Sequence, residues 1–378
     1  MIEAQTTVHT SESEFIAGLD LCEAFYRESV EPILRQDFPD LRYAAALIGS
    51  GSEVLGYDTQ MSADHHWGPR VMLFLREPDA TAHRSAITQE LSTKLPHRFH
   101  GYPTSFSSPD LHDKGVQILD YTNEGPVNHR VSITSTRGFI DDYLAFDVND
   151  EISSIDWLTF PDQKLLTITA GRVFHDDVGL EDVRTRFKYY PHDVWLYLLA
   201  SQWTRIEQEE HLMGRAGLVG DEIGSAIIAS RLVRDMMRLC FLMEKRYAPY
   251  PKWFGTAFRQ LGCAAVLEPI FRRVLAATTW NDRQTHLALA YEHIATKHNQ
   301  LAITAPLPTT AQQFHDRPFI VISMGAFSQA ICAKLTDPAL TRLRAKPLIG
   351  SPDQFSDSTD LLSSPIWRPA LRGLYCAD

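Results

Sequence analysis

The stretch Leu47–Leu75, LIGSGSEVLGYDTQMSADHHWGPRVMLFL, decides how the rest of the chain is read. An apolar run, Ala44–Ile48, leads into it and predicts a buried strand. Gly49, Ser50, Gly51 and Ser52 make a turn, and Gly56 follows after one helical turn. Then come Ser62, Asp64, His65 and His66, and the Gly68-Pro69-Arg70 corner delivers the chain to a second strand, Val71–Leu75. Glycines let a backbone approach phosphate oxygens closely, and N–H groups at a helix start donate to them. Asp64 offers the hard oxygen that Mg²⁺ prefers. If the strand extends back to Asp64 and His66, the two point the same way and can share a metal. An imidazole ligand shifts that preference toward Zn²⁺, Mn²⁺ or Fe²⁺. His66, and His65 beside it, also suit general acid or base work, because imidazole titrates near neutrality. The guanidinium fork of Arg70, leaving the corner, can hold a phosphate or carboxylate of a ligand, or form a salt bridge to a neighbouring helix.

This stretch resembles the signature of the DNA polymerase β-like nucleotidyltransferase superfamily: a Gly-Ser turn, a spacer, then Asp-x-Asp on the next strand. Gly51-Ser52 matches the turn and Asp64 the first carboxylate, while the second carboxylate position falls on His66, or on His65 one register off. Ser62–Arg70, Asp156–Asp177, Tyr190–Gly220 and Arg231–Phe258 resemble one branch of that superfamily, catalogued as a domain of unknown function, so the resemblance covers most of the chain. It implies a nucleoside triphosphate as co-substrate, with Ser50, Gly51, Ser52 and Arg70 at the phosphates. It also implies Mg²⁺ or Mn²⁺ on Asp64 and His66, or another divalent metal if His66 ligates. The superfamily takes a third carboxylate from a neighbouring strand, where this chain offers Asp120 and, by position, Ser132. Ser132 alternates with Val131 and Ile133 and so faces away from them.

The chain has 378 residues, enough for two domains. Apolar residues are 44% and charged residues 22%, as in globular proteins generally. A net charge of −11 argues against binding extended nucleic acid. Five scattered cysteines without CxxC spacing point to reduced thiols and a cytoplasmic protein. The N-terminal residues show no basic-then-apolar signal pattern, and no apolar run approaches membrane-spanning length. GxSxG, HExxH and GxGxxG are all missing.

In chain order, helical spacing runs from Phe15 to Leu34, with Ser11 or Ser13 as cap, and from Thr81 to Leu95. Val116–Tyr121 and Arg130–Ser135 read as further strands. Beyond Asp147 the pattern turns helical: Asp156–Ala170 broken at Pro161, Pro191–Met213, Asp221–Arg246, Lys252–Leu261, Ala264–Ala277 and Asp282–His298. His175-Asp176-Asp177 reads as a surface turn, and the tail after residue 345 as loop-rich. The expected fold class is α+β: a small mixed-sheet nucleotidyltransferase-like domain over residues 1–150 that carries the N-terminal helix, then a helical substrate-binding domain over 151–300. Residues 301–378 are expected to form a linker and an α/β tail packed on both.

Charges recur within the apolar periodicity of the helical part. Arg205 and Glu209 are spaced as an i,i+4 pair, and Arg215, Arg231 and Arg234 continue the theme. With strongly apolar flanks, these five are the candidates for gripping a small-molecule substrate in a cleft, and Lys252 is the lysine candidate for a phosphate contact. The expected activity is metal-dependent nucleotidyl transfer to a small-molecule acceptor, with Asp64, His66, His65 and Asp120 as the catalytic set. Two alternatives stay open. One is the same fold doing acid/base or metal-assisted hydrolysis, elimination or cyclisation on a metabolite without nucleotide. The other is a non-catalytic nucleotide sensor.

Overall fold

The five residues Tyr43–Leu47 (β1) are all buried, as an apolar strand with covered faces must be. In the computed structural model, which describes residues 15–63, 66–110 and 115–376, β1 pairs antiparallel with Arg70–Leu75 (β2). β2 pairs parallel with Arg130–Ser135 (β3). A fourth strand, Arg172–Asp176 (β4), pairs antiparallel with the other edge of β1 through a bulge at Ala45/Ala46. The sheet order is β3-β2-β1-β4, and the protein is α+β.

Alternation decides which face is which. Tyr43, Ala45 and Leu47, Val71, Leu73 and Leu75, and Val131 and Ile133 join one hydrophobic core with Leu21, Phe25, Leu34, Ile87 and Leu91. The last two come from the helix Glu77–Lys94. The first three come from Gly18–Asp37, which runs as α-helix except over Tyr26–Val30. There the ladder widens, and the Glu31 N–H reaches back five residues to the Tyr26 carbonyl. The next residue is Pro32, which has no N–H and whose ring crowds the preceding turn, so a π-bulge just before it relieves the clash. On the opposite face Phe74 meets Phe139 edge-on at 5.6 Å.

Two strand expectations change. Val116–Tyr121 shrinks to Leu119–Asp120, which pairs with Ser105–Phe106 in a separate hairpin. Ile118 is 54% exposed, so this run has no buried face to extend it, and β3 takes the place beside β2. β4 follows the expected helix Asp156–Ala170 and takes in His175 and Asp176, which were expected in a surface turn. Gly171, at φ 74°, turns the chain out of the helix Asp162–Thr169 and back onto β1.

The chain divides into two compact units, one running to Phe139 and including Thr167–Thr185, the other comprising Ile140–Leu166 and everything from Arg186. The first holds the sheet. The second is built on His192–Glu209, buried without a break from Val194 to Trp203, and on Glu222–Met243. Pro251–Phe258, Ala264–Ala276 and Trp280–Gln300 follow. The tail is more ordered than its composition suggests. Ser351-Pro352-Asp353-Gln354 forms a capping box for a short helix. Arg368–Cys376 is also helical, held by Arg368 and Arg372, which both pair with the buried carboxylate of Asp156. Ser11 and Ser13 lie outside the described residues. Among the described residues, no helix is long and apolar enough to cross a membrane.

Candidate phosphate site

β1 ends at Leu47, and the chain turns at once through Gly49 (φ 80°) and Gly51 (φ 143°). Gly51 is required by what lies over it. A Cβ there would stand 2.5 Å from the Arg70 guanidinium and 2.6 Å from the Glu53 carboxylate. Ser50 is exposed and Ser52 half-buried. The Ser52 carbonyl accepts the N–H groups of Leu55 and Tyr57, closing a tight turn where one helical turn was expected.

Arg70, at the start of β2, is committed to this turn. Its Nε donates to Glu53 Oε1 at 2.9 Å, and one terminal nitrogen donates to the Ser50 carbonyl at 2.8 Å. The Glu53 side chain is only 5% exposed, so the pair is an internal brace that fixes the turn to the strand.

Arg130 is the Cα partner of Arg70 across β2 and β3. Among the described residues no carboxylate pairs with it. Its guanidinium donates to His66 Nδ1 and lies 5.6 Å from the Phe106 ring centroid. Burial, with Arg70 beside it, pushes the Arg130 pKa down to about 10, and Glu53 offsets this only in part. The site therefore holds more positive charge than its described acids neutralise. Next to it, Asp58 accepts the Gly18 N–H at 2.7 Å and the Trp67 Nε1 at 3.0 Å, anchoring the segment that carries His66.

His66 does not have the strand geometry expected of it. β2 begins at Arg70, so His66 lies four residues ahead of it. It adopts φ 58°, with its N–H donating to the Gln117 carbonyl at 3.0 Å. Arginine can only donate, so His66 Nδ1 is an acceptor and the ring proton belongs on Nε2. A metal-bound imidazole normally does the reverse, donating from its second nitrogen. Among the described residues, no three His, Cys, Asp or Glu side chains come together to hold a metal. Asp64 and His65 lie outside the described residues. Asp120 is exposed in its hairpin, apart from the main sheet. Ser132 is exposed on β3, with Val131 and Ile133 buried behind it.

With this geometry established, comparison with known proteins adds three findings. A family model described as "Domain of unknown function (DUF4037)" matches residues 157–254. The crystal structure of a nucleotidyltransferase-like protein from Exiguobacterium sibiricum 255-15 is similar over 79% of this chain and 83% of its own, at 9% identity and a TM-score of 0.32. No curated protein matches the chain.

The matched family segment contains the five substrate candidates and Lys252, but none of the stretch from Ser50 to Arg130. Within the second unit those candidates are paired. Arg205 bonds Asp235 at 3.2 Å and Arg231 bonds Glu209 at 2.5 Å, so the expected Arg205–Glu209 pair along one helix is replaced by two pairs across two helices. Arg234 pairs with Asp357, and Arg215 lies 5.9 Å from the Phe314 ring centroid. Lys252 is exposed, with its Nζ 4.9 Å from the Trp253 ring centroid. His175 stands on β4, and Asp176 accepts the N–H groups of four residues from Val178 to Glu181, as a helix cap does.

Glu53 and Arg130 were not among the expected site residues. Arg130 carried one signal, a charge heading a strand in phase with Ser132 rather than with Val131 and Ile133.

Proposed function

We propose that the first unit binds a nucleoside triphosphate at the Gly49–Ser52 turn beside Arg70 and Arg130, and that the protein transfers a nucleotidyl group to a small-molecule acceptor. One observation supports this above the rest: two arginines in register on parallel strands, of which Arg70 is bound to the glycine turn and to the buried Glu53, while no described carboxylate pairs with Arg130. A polyphosphate fits such an arrangement. Glu53 holds Arg70 as a fixed wall of the turn, and Arg130 meets the anion with charge that no described carboxylate balances. Developing negative charge on the phosphates would be stabilised by Arg130 and by the Nε2–H of His66. The described residues do not form a divalent-metal site, so no step is assigned to a metal, and Asp64 remains the residue to test for Mg²⁺ or Mn²⁺. The His66–Arg130 contact also favours a second reading, in which the same pocket does acid/base chemistry on a phosphorylated metabolite without nucleotide.

The test is calorimetric titration with ATP, GTP, CTP and UTP, each with and without Mg²⁺ or Mn²⁺, for wild type, Asp64→Ala and Arg130→Ala. Binding of one triphosphate that weakens in Arg130→Ala supports nucleotide binding, and its loss in Asp64→Ala only when metal is present assigns the metal to Asp64. Transfer is then read by incubating that triphosphate with acceptor mixtures and following pyrophosphate release. No binding of any triphosphate overturns the reading and leaves the nucleotide-free alternative.

A further inference from the structure

At the other end of β1 from the Gly49–Ser52 turn, a groove of about 350 Å³ runs between the loop 38–42 and the start of the helix Glu77–Lys94. That is room for a small metabolite. One wall belongs to the helix. Asp79 and His83 are spaced i,i+4, and Arg76 is the residue just before the first turn. The other wall is held in place by its own backbone. The Phe38 N–H donates to the Leu34 carbonyl at 2.9 Å, and the Leu41 N–H to the Phe38 carbonyl at 3.0 Å. The Phe38 ring meets His83 edge-on at 6.2 Å. Phe38 and Leu41 are half-buried and line the groove with apolar surface. Two of the charges in the groove are already engaged: Asp37 accepts from Lys94 Nζ at 2.6 Å, and Arg42 donates to the Asp177 carbonyl at 2.7 Å. Three are not. Among the described residues Arg76 pairs with no carboxylate, and Asp40 and Asp79 pair with no cation.

We propose that this groove is a second ligand site, and that it takes a free α-amino acid with an apolar side chain. Arg76 holds the carboxylate with its guanidinium fork, and Asp40 and Asp79 share the ammonium group. The side chain of the ligand lies along Phe38 and Leu41, out of water. The mixture of signs decides the class. An anion alone would meet two acids with no cation to offer them, and an amine alone would meet Arg76 in the same way. A wholly apolar molecule would strip water from all three charges without replacing it. A zwitterion answers both signs at once. The strand β1, five residues or roughly 17 Å long, keeps this ligand clear of the Gly49–Ser52 turn. The two sites are therefore independent, and this one stands whether or not the turn holds a triphosphate.

The full-length protein is titrated calorimetrically with L-leucine, L-methionine and L-phenylalanine, and then with L-leucinamide and N-acetyl-L-leucine, which each lack one of the two charges. The same titrations are run on Arg76→Gln and on Asp40→Asn combined with Asp79→Asn. Wild type is expected to bind at least one of the three amino acids saturably. Removing either charge from the ligand, or its partner from the protein, is expected to weaken binding about 10-fold or more. Arg76→Gln should then discriminate less between leucine and leucinamide, and the double variant less between leucine and N-acetyl-leucine. No binding of any of the three amino acids up to millimolar concentrations overturns the proposal. So does leucinamide or N-acetyl-leucine binding as tightly as leucine, or an affinity that neither variant changes. Melting curves without ligand confirm that the variants are folded, as expected for side chains with no ion-pair partner to lose.

Discussion

Arg70 and Arg130 are Cα partners across the parallel pairing of β2 and β3, yet among the described residues only Arg70 is neutralised by a carboxylate. Two guanidiniums side by side repel, and only an anion makes both favourable at once. The asymmetry separates their roles: Arg70 belongs to the frame and Arg130 to the ligand.

Arg130→Ala is therefore expected to weaken triphosphate binding about 10- to 100-fold, the loss of charge-assisted hydrogen bonds to an anion. Its cost in stability should stay below about 1 kcal/mol, because no described carboxylate is left unpaired. Calorimetry and urea unfolding on the same preparations check both halves. A variant that binds like wild type would remove Arg130 from the site.

Glu53→Gln is expected to act in the opposite sense. It strands Arg70, whose side chain is 13% exposed, beside a turn that it braces. Losing one partner of a buried ion pair costs about 3–5 kcal/mol. Replacing both, as Glu53→Gln with Arg70→Met, should recover much of that, since no lone charge remains. Chemical unfolding of the two variants measures the difference. Equal losses in both would mean that the pair acts through packing, not charge.

The contrast between these two arginines marks how far the sequence could be read. β1, β2 and β3 were visible as apolar or alternating runs, and the Ser50–Ser52 turn with Arg70 was visible as spacing. The partner of Arg70 was not, because Glu53 meets it across a turn in which Gly49 and Gly51 both take positive φ, a conformation that residue spacing does not reveal. Arg130 was hidden because strand register is a relation between distant segments. β4 escaped because Arg172–Asp176 has only five residues and finds its partner in β1, far back along the chain. Arg205 and Glu209 have the right spacing to pair, but Asp235 and Arg231 on the neighbouring helix compete for them and win.

Gly51→Ala tests whether the turn is built around this brace. The new methyl would meet both members of the ion pair at a φ that side chains rarely adopt. It is expected to cost about 3 kcal/mol and to weaken triphosphate binding as well. Gly125→Ala is the control, because Gly125 has φ 78° with nothing within 4 Å of the added atom, and it should cost about 1 kcal/mol and leave binding unchanged. Unfolding curves and calorimetry for the pair separate steric strain at the site from the general penalty of a left-handed residue.

In the second unit a pair of buried carboxylates makes stability depend on pH. Asp162 and Asp353 are both buried, and the Asp162 N–H donates to Asp353 Oδ2 at 2.8 Å. Tyr190 donates to Asp162, and Arg238 stands 4.0 Å from one carboxylate and 3.9 Å from the other. Burial, then the neighbouring Asp353, pushes Asp162 up to about 7, and burial raises Asp353 as well. An unfolded aspartate titrates near pH ~4, so the folded protein binds an extra proton between about 4 and 7. This contribution to stability is fully present below pH ~4 and is lost as pH rises through about 7. His298 works against it: burial depresses its pKa to about 4, so its contribution is present above the ordinary histidine value and is lost as pH falls toward 4. Carboxylates held low, such as Asp176 and Asp193, lose their contribution only below the ordinary aspartate range, outside this window. The melting temperature of wild type minus that of Asp162→Asn isolates the buried pair, since His298 is common to both. That difference is expected to fall steadily from about pH 5 to about pH 8. If it stays flat, the two carboxylates do not share a proton, and Arg238 balances both as ions.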